Sequence, residues 1–568
     1  MNLELSDQAQ AALDADGQIL VLGGPGSGKT TLALMKAKML IPILHPGQEV
    51  LFLSFSRAAV RQVLVRCQEI LTGSERRLIS VKTYHAFCMD LLKTHGRLLT
   101  GRPPRIIYPG VALLAKSAHG GDWESERRRL AHEDGLYCFE QFAPSTVEVL
   151  NRAERTRKLI SKRYPVVILD EFQDTDDSQW ELVKLLSRDS RLITLADPDQ
   201  RIFEYDVKVD PERLNHLREF LTPSEFDLGG ANYRSPDAGI LSFADAVLRN
   251  APPPPSEDVR VASYWPRALA AGVHNHVVLL ISQLREASIP SPNVAVLCRT
   301  NSLVADVSGW LQEDRDFNGI KLTPVDHHVV WDAELTTAAA QVVGSILEWP
   351  QYAMDSAVVA TLRCLANYYD LKNAEHPTNS AQTQAASYRA AELAISEGRS
   401  TRLKAAGYLV SSFNDGLALV GKPESDWLTA RGVLSGSPTL EEVFKSARFV
   451  RLFRAKDEIG GILSQQWLSS GSYGRAADLV RRALEARQLI SANTEPSGVV
   501  LMTMHKAKGK EFDGVVIVEG VHKGSFFDAN REKAPFEASR RLLRVGITRA
   551  RHRVFIVRPR GAQPLTGV

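Results

Sequence analysis

The hydrophobic positions of this 568-residue chain form short continuous runs, separated by longer stretches that mix apolar and polar residues. Unbroken apolar runs are typical of strands buried on both faces, and the mixed stretches after them have the spacing of amphipathic helices. The sequence therefore predicts parallel sheets with helices on both sides. The predicted strands are residues 18–22, 50–55, 166–169 and 191–196 in the first half, and 293–298, 499–503, 514–518 and 554–557 in the second.

Two long stretches interrupt this alternation and define the predicted domains. Residues 88–163 are polar and helical in pattern, and residues 336–489 are largely helical. A chain of this length is also long enough for three or four domains. We therefore predict two parallel-sheet domains with one mostly helical insertion each. The first comprises 1–87 and 164–228 with insertion 88–163, and the second comprises 229–335 and 490–568 with insertion 336–489.

Composition narrows the functional classes only slightly. The net charge is +3, so affinity for nucleic acid would have to come from local basic surface. The five cysteines (Cys67, Cys88, Cys138, Cys298, Cys364) lie far apart, which predicts reduced thiols and no iron–sulfur cluster. The N-terminus lacks a signal-peptide pattern and no apolar run approaches the length of a membrane span, so we predict a cytoplasmic protein with no membrane partner.

A glycine-rich segment lies between the first predicted strand and a predicted helix. Its sequence, GGPGSGKT at residues 23–30, meets the pattern GxxxxGK[ST], in which backbone N–H groups face nucleotide phosphates at a helix N-terminus. Lys29 would reach the β- and γ-phosphates and Thr30 would bind Mg²⁺. The predicted cofactors are therefore ATP and Mg²⁺. The predicted binding residues in this segment are Gly23, Gly24, Pro25, Gly26, Ser27, Gly28, Lys29, Thr30 and Thr31.

Two carboxylates directly follow the predicted strand 166–169. Asp170 can hold Mg²⁺, directly or through water, and Glu171 can polarise the attacking water. Two acids after a strand are by themselves as often a solvated turn. Together with the phosphate-binding loop they predict hydrolysis of ATP.

These acids belong to the segment DEFQDT at residues 170–175, where the sequence resembles the superfamily 1A helicases, the UvrD/Rep-like group. The resemblance implies an α/β fold of tandem RecA-like doubly wound parallel sheets, each with a mostly helical insertion. Further segments resemble the family's motifs in the expected order: SFSRAAV at 54–60, TYHAF at 83–87, ADPDQRIFEY at 196–205, NYRS at 232–235, TMHKAKGKEFDGV at 503–515 and VGITRAR at 545–551.

The resemblance assigns roles around the nucleotide. Gln8 would read adenine and Tyr233 would stack on it, while Glu511 would contact the ribose with Gly509 nearby. Gln200 would sense the γ-phosphate, and two arginines would reach that phosphate from the second sheet domain, so that hydrolysis waits on closure of the cleft. The implied catalytic residues are Lys29, Asp170, Glu171, Gln200, Arg234 and Arg549.

The resemblance also implies a single-stranded DNA track, with single/double-strand junctions as further partners and 3′→5′ polarity. Aromatic side chains at such positions would stack on bases, which contributes about 1–3 kcal/mol per base without reading sequence. Threonines and histidines would contact phosphates, with Lys506 and Lys508 nearby. The implied DNA-binding residues are Phe55, Thr83, Tyr84, His85, Phe203, Tyr205, Thr503 and His505.

Several positions depart from the family pattern. Thr31 stands where an arginine commonly forms the second wall of the adenine pocket, and residues 205–208 replace a WRGA segment. In the segment 503–515, Lys506 and Lys510 replace smaller or apolar residues, and ahead of the last motif Ser539 and Arg544 stand where an acid and an aromatic are common.

The segment between Phe87 and Asp170 is shorter than in typical members, which indicates a compact, specialised helicase. Helicase subunits of antiphage systems such as Gabija are one such class, and plasmid or phage accessory helicases are another. Three functions stay open. The chain could be a DNA translocase that separates strands, or a DNA-activated ATPase that regulates a partner encoded nearby, such as a nuclease. The third, an RNA helicase, is disfavoured by DEFQDT.

Overall fold

The computed structural model describes residues 6–107, 112, 115–116, 119, 122–201, 209–229, 233–235, 239–330, 333–375, 379–447, 458–491, 497–522, 524–530 and 532–567. The chain divides into two compact units. One unit comprises Met1–Ile106, Ser125–Val330 and Pro496–Val568, and the other comprises Ile107–Glu124 and Trp331–Glu495. All described strands lie in the first unit.

The first sheet is parallel throughout, with strand order β3-β2-β6-β7-β1-β8. Its central strands β2 and β6 are buried at every residue, because helices cover both faces. The strands in this half of the chain are β1 (Ile19–Leu22), β2 (Val50–Ser54), β3 (Ile79–Thr83), β4 (Arg105–Ile106), β5 (Leu136–Tyr137), β6 (Val166–Leu169), β7 (Arg191–Ala196) and β8 (Ser224–Asp227), of which β4 and β5 form a separate short pair.

Helices alternate with these strands, as the hydrophobic pattern predicts. The longer ones are Asp7–Asp14, Lys29–Leu40, Arg57–Ile70, Tyr84–His95, Phe142–Arg152, Glu154–Arg163, Asp177–Leu186 and Arg213–Leu221. Shorter helices are Gly73–Arg76, Arg97–Thr100 and Trp123–Arg129, and single turns lie at Ile41–Ile43, Leu130–Asp134, Phe139–Gln141, Phe172–Asp174 and Pro198–Gln200.

The second sheet repeats this design, with six parallel strands in the order β13-β14-β10-β15-β16-β9. Its strands are β9 (Val259–Tyr264), β10 (Val294–Cys298), β13 (His327–Val329), β14 (Val499–Thr503), β15 (Phe512–Val518) and β16 (Ala550–Pro559), while β11 (Arg315–Phe317) and β12 (Ile320–Leu322) form a separate antiparallel pair. Its helices are Ile240–Leu248, Leu269–Glu286, Asn301–Gln312 and Glu537–Ile547, with turns at Pro266–Ala268 and Met504–Ala507.

The second unit is helical in its described part. Its core includes the buried Trp349 and Trp427 rings, and the Trp349 indole N–H donates to Thr361 Oγ1 at 2.9 Å. Its helices are Ala333–Leu347, Met354–Glu375, Asn379–Ser396, Lys404–Asp415, Pro423–Ser435, Glu441–Ala447, Glu458–Ser470 and Ala476–Ser491, with a turn at Trp349–Gln351.

The predicted fold class is confirmed, because the chain contains two doubly wound parallel sheets together with a large helical region. All eight predicted strands are present, and each sheet has two further strands at its edges. Residues 107–124 fall in the helical unit although they lie within the first predicted insertion, and the four-domain division stays a prediction. No helix in the described ranges combines the length and the apolar character needed to cross a bilayer.

Candidate active site

The phosphate-binding loop connects β1 to the helix Lys29–Leu40. Gly26 and Gly28 have φ of 77° and 87°, a left-handed conformation that glycine adopts without steric cost. The Lys29 ammonium donates to the carbonyl oxygens of Gly23 at 2.6 Å and Gly24 at 3.0 Å. The Ser27 hydroxyl is buried and makes no hydrogen bond to a described residue. A helix N-terminus, a nearby ammonium and an unused hydroxyl fit a polyphosphate.

Asp170 lies where β6 ends, beside the end of β2. Its side chain is 8% exposed, and Oδ2 accepts a hydrogen bond from Ser54 Oγ at 3.2 Å. Burial and the neighbouring Glu171 carboxylate raise the pKa of Asp170 to about 7. The described residues contain no group of three or more His, Cys, Asp or Glu side chains that could hold a metal. Asp170 and Thr30 therefore fit Mg²⁺ whose other ligands are nucleotide and water oxygens.

Glu171 is held by Gln173, which is itself hydrogen-bonded to the backbone after the neighbouring strand β7. Its backbone is left-handed, with φ of 52°, which is unusual for a residue other than glycine. Gln173 Nε2 donates to Glu171 Oε2 at 2.7 Å, and Gln173 Oε1 accepts from the Asp197 backbone N–H at 3.0 Å. Burial alone would raise the pKa of Glu171, but the nearby cations, led by Lys508, outweigh it and lower the pKa. The carboxylate is therefore charged at neutral pH, as a water-orienting group requires.

Lys508 comes from the second sheet and contacts this acidic cluster. Its ammonium is hydrogen-bonded to the Asp174 carboxylate, lies 3.4 Å from Glu171 Oε2 and donates to the Gln200 carbonyl at 2.7 Å. Burial raises the pKa of Asp174 to about 6 in spite of this cation. The resemblance placed Lys508 near DNA phosphates, whereas the structure places it on the candidate catalytic acids. Sequence reasoning missed this contact. Its signal was Asp174, the third acid of DEFQDT, because a buried carboxylate needs a cation beside it.

Arg549 lies beside the predicted γ-phosphate sensor. Its Nη2 donates to Gln200 Oε1 at 3.2 Å, and Gln200 Nε2 donates to Asp197 Oδ2 at 2.7 Å. Arg549 is 2% exposed, and its Nε donates to the Val545 carbonyl at 2.9 Å. Burial and the neighbouring Arg234 charge lower the pKa of Arg549 to about 9, so it keeps its charge at neutral pH. The two sheets therefore meet at the pair Gln200–Arg549.

Arg234 and Glu511 bind each other. Arg234 Nε and Nη2 donate to Glu511 Oε1 at 3.0 and 2.8 Å, and Nη1 donates to the Thr548 carbonyl at 2.9 Å. Arg551 Nη2 donates to Glu511 Oε2 at 3.0 Å. Burial would raise the pKa of Glu511, but Arg234 and Arg551 outweigh it and lower the pKa to about 2. The predicted contacts of Arg234 with phosphate and of Glu511 with ribose stay predictions.

The candidate adenine side is formed by Tyr233 above the loop. Its backbone N–H donates to the Gly26 carbonyl at 2.8 Å, and a Cβ added to Gly28 would lie 3.4 Å from its Cδ2 atom. The ring is 52% exposed, so it lies close to the loop and leaves surface for a base. Gln8 is exposed on the helix Asp7–Asp14, and Thr31 Oγ1 accepts from Arg66 Nη1 at 3.2 Å.

The candidate DNA residues of the first sheet differ in accessibility. Phe55 is half-buried, and its ring centroid lies 5.5 Å from that of Tyr84. Tyr84 is 2% exposed, and burial raises the pKa of its hydroxyl, so its ring offers no stacking surface in this structure. Thr83 Oγ1 accepts from the Ala86 N–H at 3.1 Å and caps the helix Tyr84–His95, and His85 is exposed.

The candidate DNA residues of the second sheet lie at the end of β14. Thr503 is buried and His505 is half-buried. Gly509 has φ of 72°, and a Cβ added to it would lie 3.4 Å from Ser56 Oγ, so this loop touches the start of the helix Arg57–Ile70. The predicted contacts Phe203 and Tyr205 lie outside the described residues.

These features are typical of a P-loop ATPase, and the candidate site has residues from both parallel sheets. A family profile described as the UvrD/REP helicase N-terminal domain matches residues 5–134 and 125–217, and one described as the UvrD-like helicase C-terminal domain matches residues 449–560. The chain belongs to the UvrD/Rep/PcrA-like helicases of superfamily 1A, and it is an ATP hydrolase of that family.

Similar proteins carry consistent names. The ATP-dependent DNA helicase UvrD1 of Mycobacterium tuberculosis (strain ATCC 25618 / H37Rv) is 25% identical over 98% of this chain and 83% of its own length. The ATP-dependent DNA helicase PcrA of Staphylococcus epidermidis (strain ATCC 35984) is 21% identical over 97% of this chain and 82% of its own length. The ATP-dependent DNA helicase Rep of Escherichia coli (strain K12) is 27% identical over 43% of each chain.

Proposed function

We propose that this protein is an ATP-driven translocase on single-stranded DNA that separates strands at single/double-strand junctions. The observation that carries the proposal is the contact of Arg549 with Gln200, because it joins the second sheet to the candidate γ-phosphate sensor of the first. An arginine that reaches the site across a boundary between sheets can couple hydrolysis to their relative movement.

The residues divide the chemistry between them. The loop N–H groups and Lys29 would hold the polyphosphate, and Thr30 and Asp170 would hold Mg²⁺, whose positive charge would stabilise the phosphate oxygens. Glu171 orients the attacking water, because its carboxylate is charged and fixed by Gln173. Arg549 offsets negative charge that develops on the phosphoryl oxygens.

The candidate DNA track is assigned to side chains that follow the strands beside this site. Phe55 is the candidate base-stacking residue of the first sheet, since Tyr84 is buried beneath it. The relatives named above are DNA helicases, which supports DNA as the nucleic acid. The 3′→5′ polarity rests on family resemblance, and a protein partner and a cytoplasmic location likewise remain part of this proposal.

Two assays on the purified protein test the proposal. We expect ATP hydrolysis that rises with single-stranded DNA, and displacement of a duplex with a 3′ DNA tail but not of one with a 5′ tail. The same duplex with a 3′ RNA tail is the control for the nucleic acid. DNA-stimulated hydrolysis without displacement of any substrate would contradict strand separation and favour the DNA-activated ATPase that regulates a partner enzyme.

A further inference from the structure

Arg544 is a buried cation next to the active site that the mechanism above does not use. It lies in the helix Glu537–Ile547, five residues before Arg549, and its side chain is 4% exposed. Its Nε donates to Asp245 Oδ1 at 2.8 Å, and Asp245 belongs to the neighbouring helix Ile240–Leu248. This bond holds the Nε edge of the guanidinium on the helices of the second sheet. The Nη1 and Nη2 atoms face Asp197 and Asp199 of the first sheet.

Among the described residues, no acceptor lies at hydrogen-bonding distance from Arg544 Nη1 or Nη2, the edge of the guanidinium away from Asp245. Nη1 lies 3.8 Å from Asp197 Oδ2 and Nη2 lies 3.9 Å from Asp199 Oδ2, both beyond a hydrogen bond. Nη1 is fully buried and bonds to no described residue. A buried charged donor without an acceptor costs free energy, so its retention points to an anion that binds there.

The phosphate-binding loop lies directly in front of this edge. A Cβ added to Gly24 would lie 3.6 Å from Arg544 Nη2, and the Gly24 carbonyl is the one that accepts from Lys29 Nζ at 3.0 Å. Arg544 therefore approaches the same end of the loop as the lysine. A planar guanidinium with two adjacent N–H edges matches the oxygens of a phosphate group.

Arg544 and Arg549 converge on one pair of first-sheet side chains. Arg549 donates to Gln200, and Gln200 donates to Asp197, whose Oδ2 lies 3.8 Å from Arg544 Nη1. Since Gln200 is the candidate γ-phosphate sensor, both arginines address the terminal end of the polyphosphate. Asp197 and Asp199 attract the Arg544 charge from 3.8 and 3.9 Å, distances that leave the Nη1 and Nη2 N–H groups available to a ligand.

We propose that Arg544 binds the terminal phosphate of ATP beside Gly24 and that Asp245 positions it for this contact. The proposal rests on the proposed ATPase site and adds to it a residue that distinguishes nucleoside triphosphate from diphosphate. The second sheet thus contributes two arginines to the terminal phosphate from a single helix and the turn after it.

The test compares Arg544→Met with the matched control Arg541→Met, a substitution on the same helix at a residue paired with Glu537. The dissociation constants of a non-hydrolysable ATP analogue and of ADP are measured with Mg²⁺ and without DNA. We expect the analogue to bind about tenfold to a hundredfold more weakly to Arg544→Met. ADP binding should be unchanged for both variants, and analogue binding unchanged for Arg541→Met. Equal losses for the analogue and ADP, or no loss for either, would overturn the proposal.

A second variant keeps the test decisive if Arg544→Met does not fold. Asp245→Asn leaves the guanidinium in place but weakens its anchor, and we expect a smaller, still analogue-selective loss of affinity. A fall of the unfolding midpoint with unchanged analogue-to-ADP selectivity would assign Arg544 a structural role only. These measurements need no turnover, whereas absent ATP hydrolysis by the wild-type protein would contradict the proposed function itself, so the two failures are distinguishable.

Discussion

Each of the two sheets has six parallel strands, connected in a different order, and the two contribute mainly opposite charges to the candidate site. On the first sheet the candidate site residues follow strands, since the loop follows β1, Asp170 follows β6 and Asp197 follows β7. On the second sheet, Glu511 and Arg549 directly precede β15 and β16. The first set is rich in buried carboxylates, and the second supplies Arg234, Lys508, Arg544 and Arg549.

This difference means that neither sheet alone contains all the residues of the candidate active site. The pKa of Asp170 is raised to about 7 and that of Asp174 to about 6, because burial penalises their charged forms. Lys508 from the second sheet lowers the pKa of Glu171 and keeps it charged. The charge state of Glu171 on the first sheet therefore depends on second-sheet cations, Lys508 and Arg549, as well as on Lys29 of the loop.

The largest expected effect comes from the lysine of the phosphate-binding loop. Lys29→Ala should reduce ATP hydrolysis by about a thousandfold or more, because it removes the ammonium that lies at the loop carbonyls of Gly23 and Gly24. Steady-state turnover measures the loss, and single-stranded DNA binding should persist. Lys38→Ala, at an exposed position of the same helix, is the matched control. Simultaneous loss of DNA binding would indicate a misfolded protein and contradict the assigned role.

Arg549→Ala should have the next largest effect, since it removes the contact that joins the two sheets at Gln200. We expect turnover at saturating ATP to fall roughly a hundredfold to a thousandfold, with ATP binding within a few-fold of the wild type. Arg553→Ala removes a β16 cation that donates to Gln283 of the helix Leu269–Glu286, and this variant should leave turnover unchanged. Normal turnover at saturating ATP together with weak ATP binding would contradict this prediction, because Arg549 would then serve binding and not hydrolysis.

Lys508→Met tests the dependence of the acidic cluster on the second sheet. Without the Lys508 ammonium, the neighbouring carboxylates of Asp174 and Glu171 lose their main counter-charge. This loss should lower the free energy of unfolding by about 3–5 kcal/mol. Urea unfolding measures this loss. Adding Asp174→Asn to the variant should restore most of it, because the unpaired charge is then gone. The Lys510→Met control should stay near the wild type, and equal loss in both variants would rule out the ion-pair explanation.

The smallest effect concerns the pair of Glu511 and Arg234 within the second sheet. The pKa of Glu511 is lowered to about 2, below the value near 4.3 of an unfolded glutamate, so its stabilisation is complete above pH 4.3. It should be lost as the pH falls from about 4.3 toward 2, by up to about 3 kcal/mol. The difference in the free energy of unfolding between the wild type and Glu511→Gln, obtained from urea unfolding between pH 6 and pH 3, measures this stabilisation. A difference that does not change with pH would contradict this origin.

Interior and edge strands differ in how well the sequence predicts them. The four interior strands of each sheet are continuous apolar runs, because helices cover both of their faces, and all eight were predicted. The edge strands β3, β8, β9 and β13 were missed. Their sequences, ISVKT, SEFD, VRVASY and HHV, include polar residues and residues that are not fully buried, so they lack the apolar run.

The candidate site divides in the same way. The loop and Asp170 could be predicted from local patterns, since site residues in parallel sheets tend to follow strands. On the second sheet Glu511 and Arg549 directly precede strands, and only the family resemblance pointed to them and to Arg234. The contacts of Lys508 with Asp174 and of Arg544 with Asp245 depend on residues 334 and 299 positions apart, which no local pattern records.

Lys508 and Gly509 are neighbouring residues, of which the first contacts the candidate catalytic acids and the second lies beside the candidate DNA track. Lys508 bonds to the candidate catalytic acids, and Gly509 abuts Ser56, which directly follows the candidate base-stacking Phe55. Consecutive Cα atoms are about 3.8 Å apart, so one peptide unit separates the cation on the candidate catalytic acids from the residue beside the candidate DNA track. Any displacement of Lys508 would also displace Gly509, and we expect this loop to couple the candidate ATP site to the candidate track.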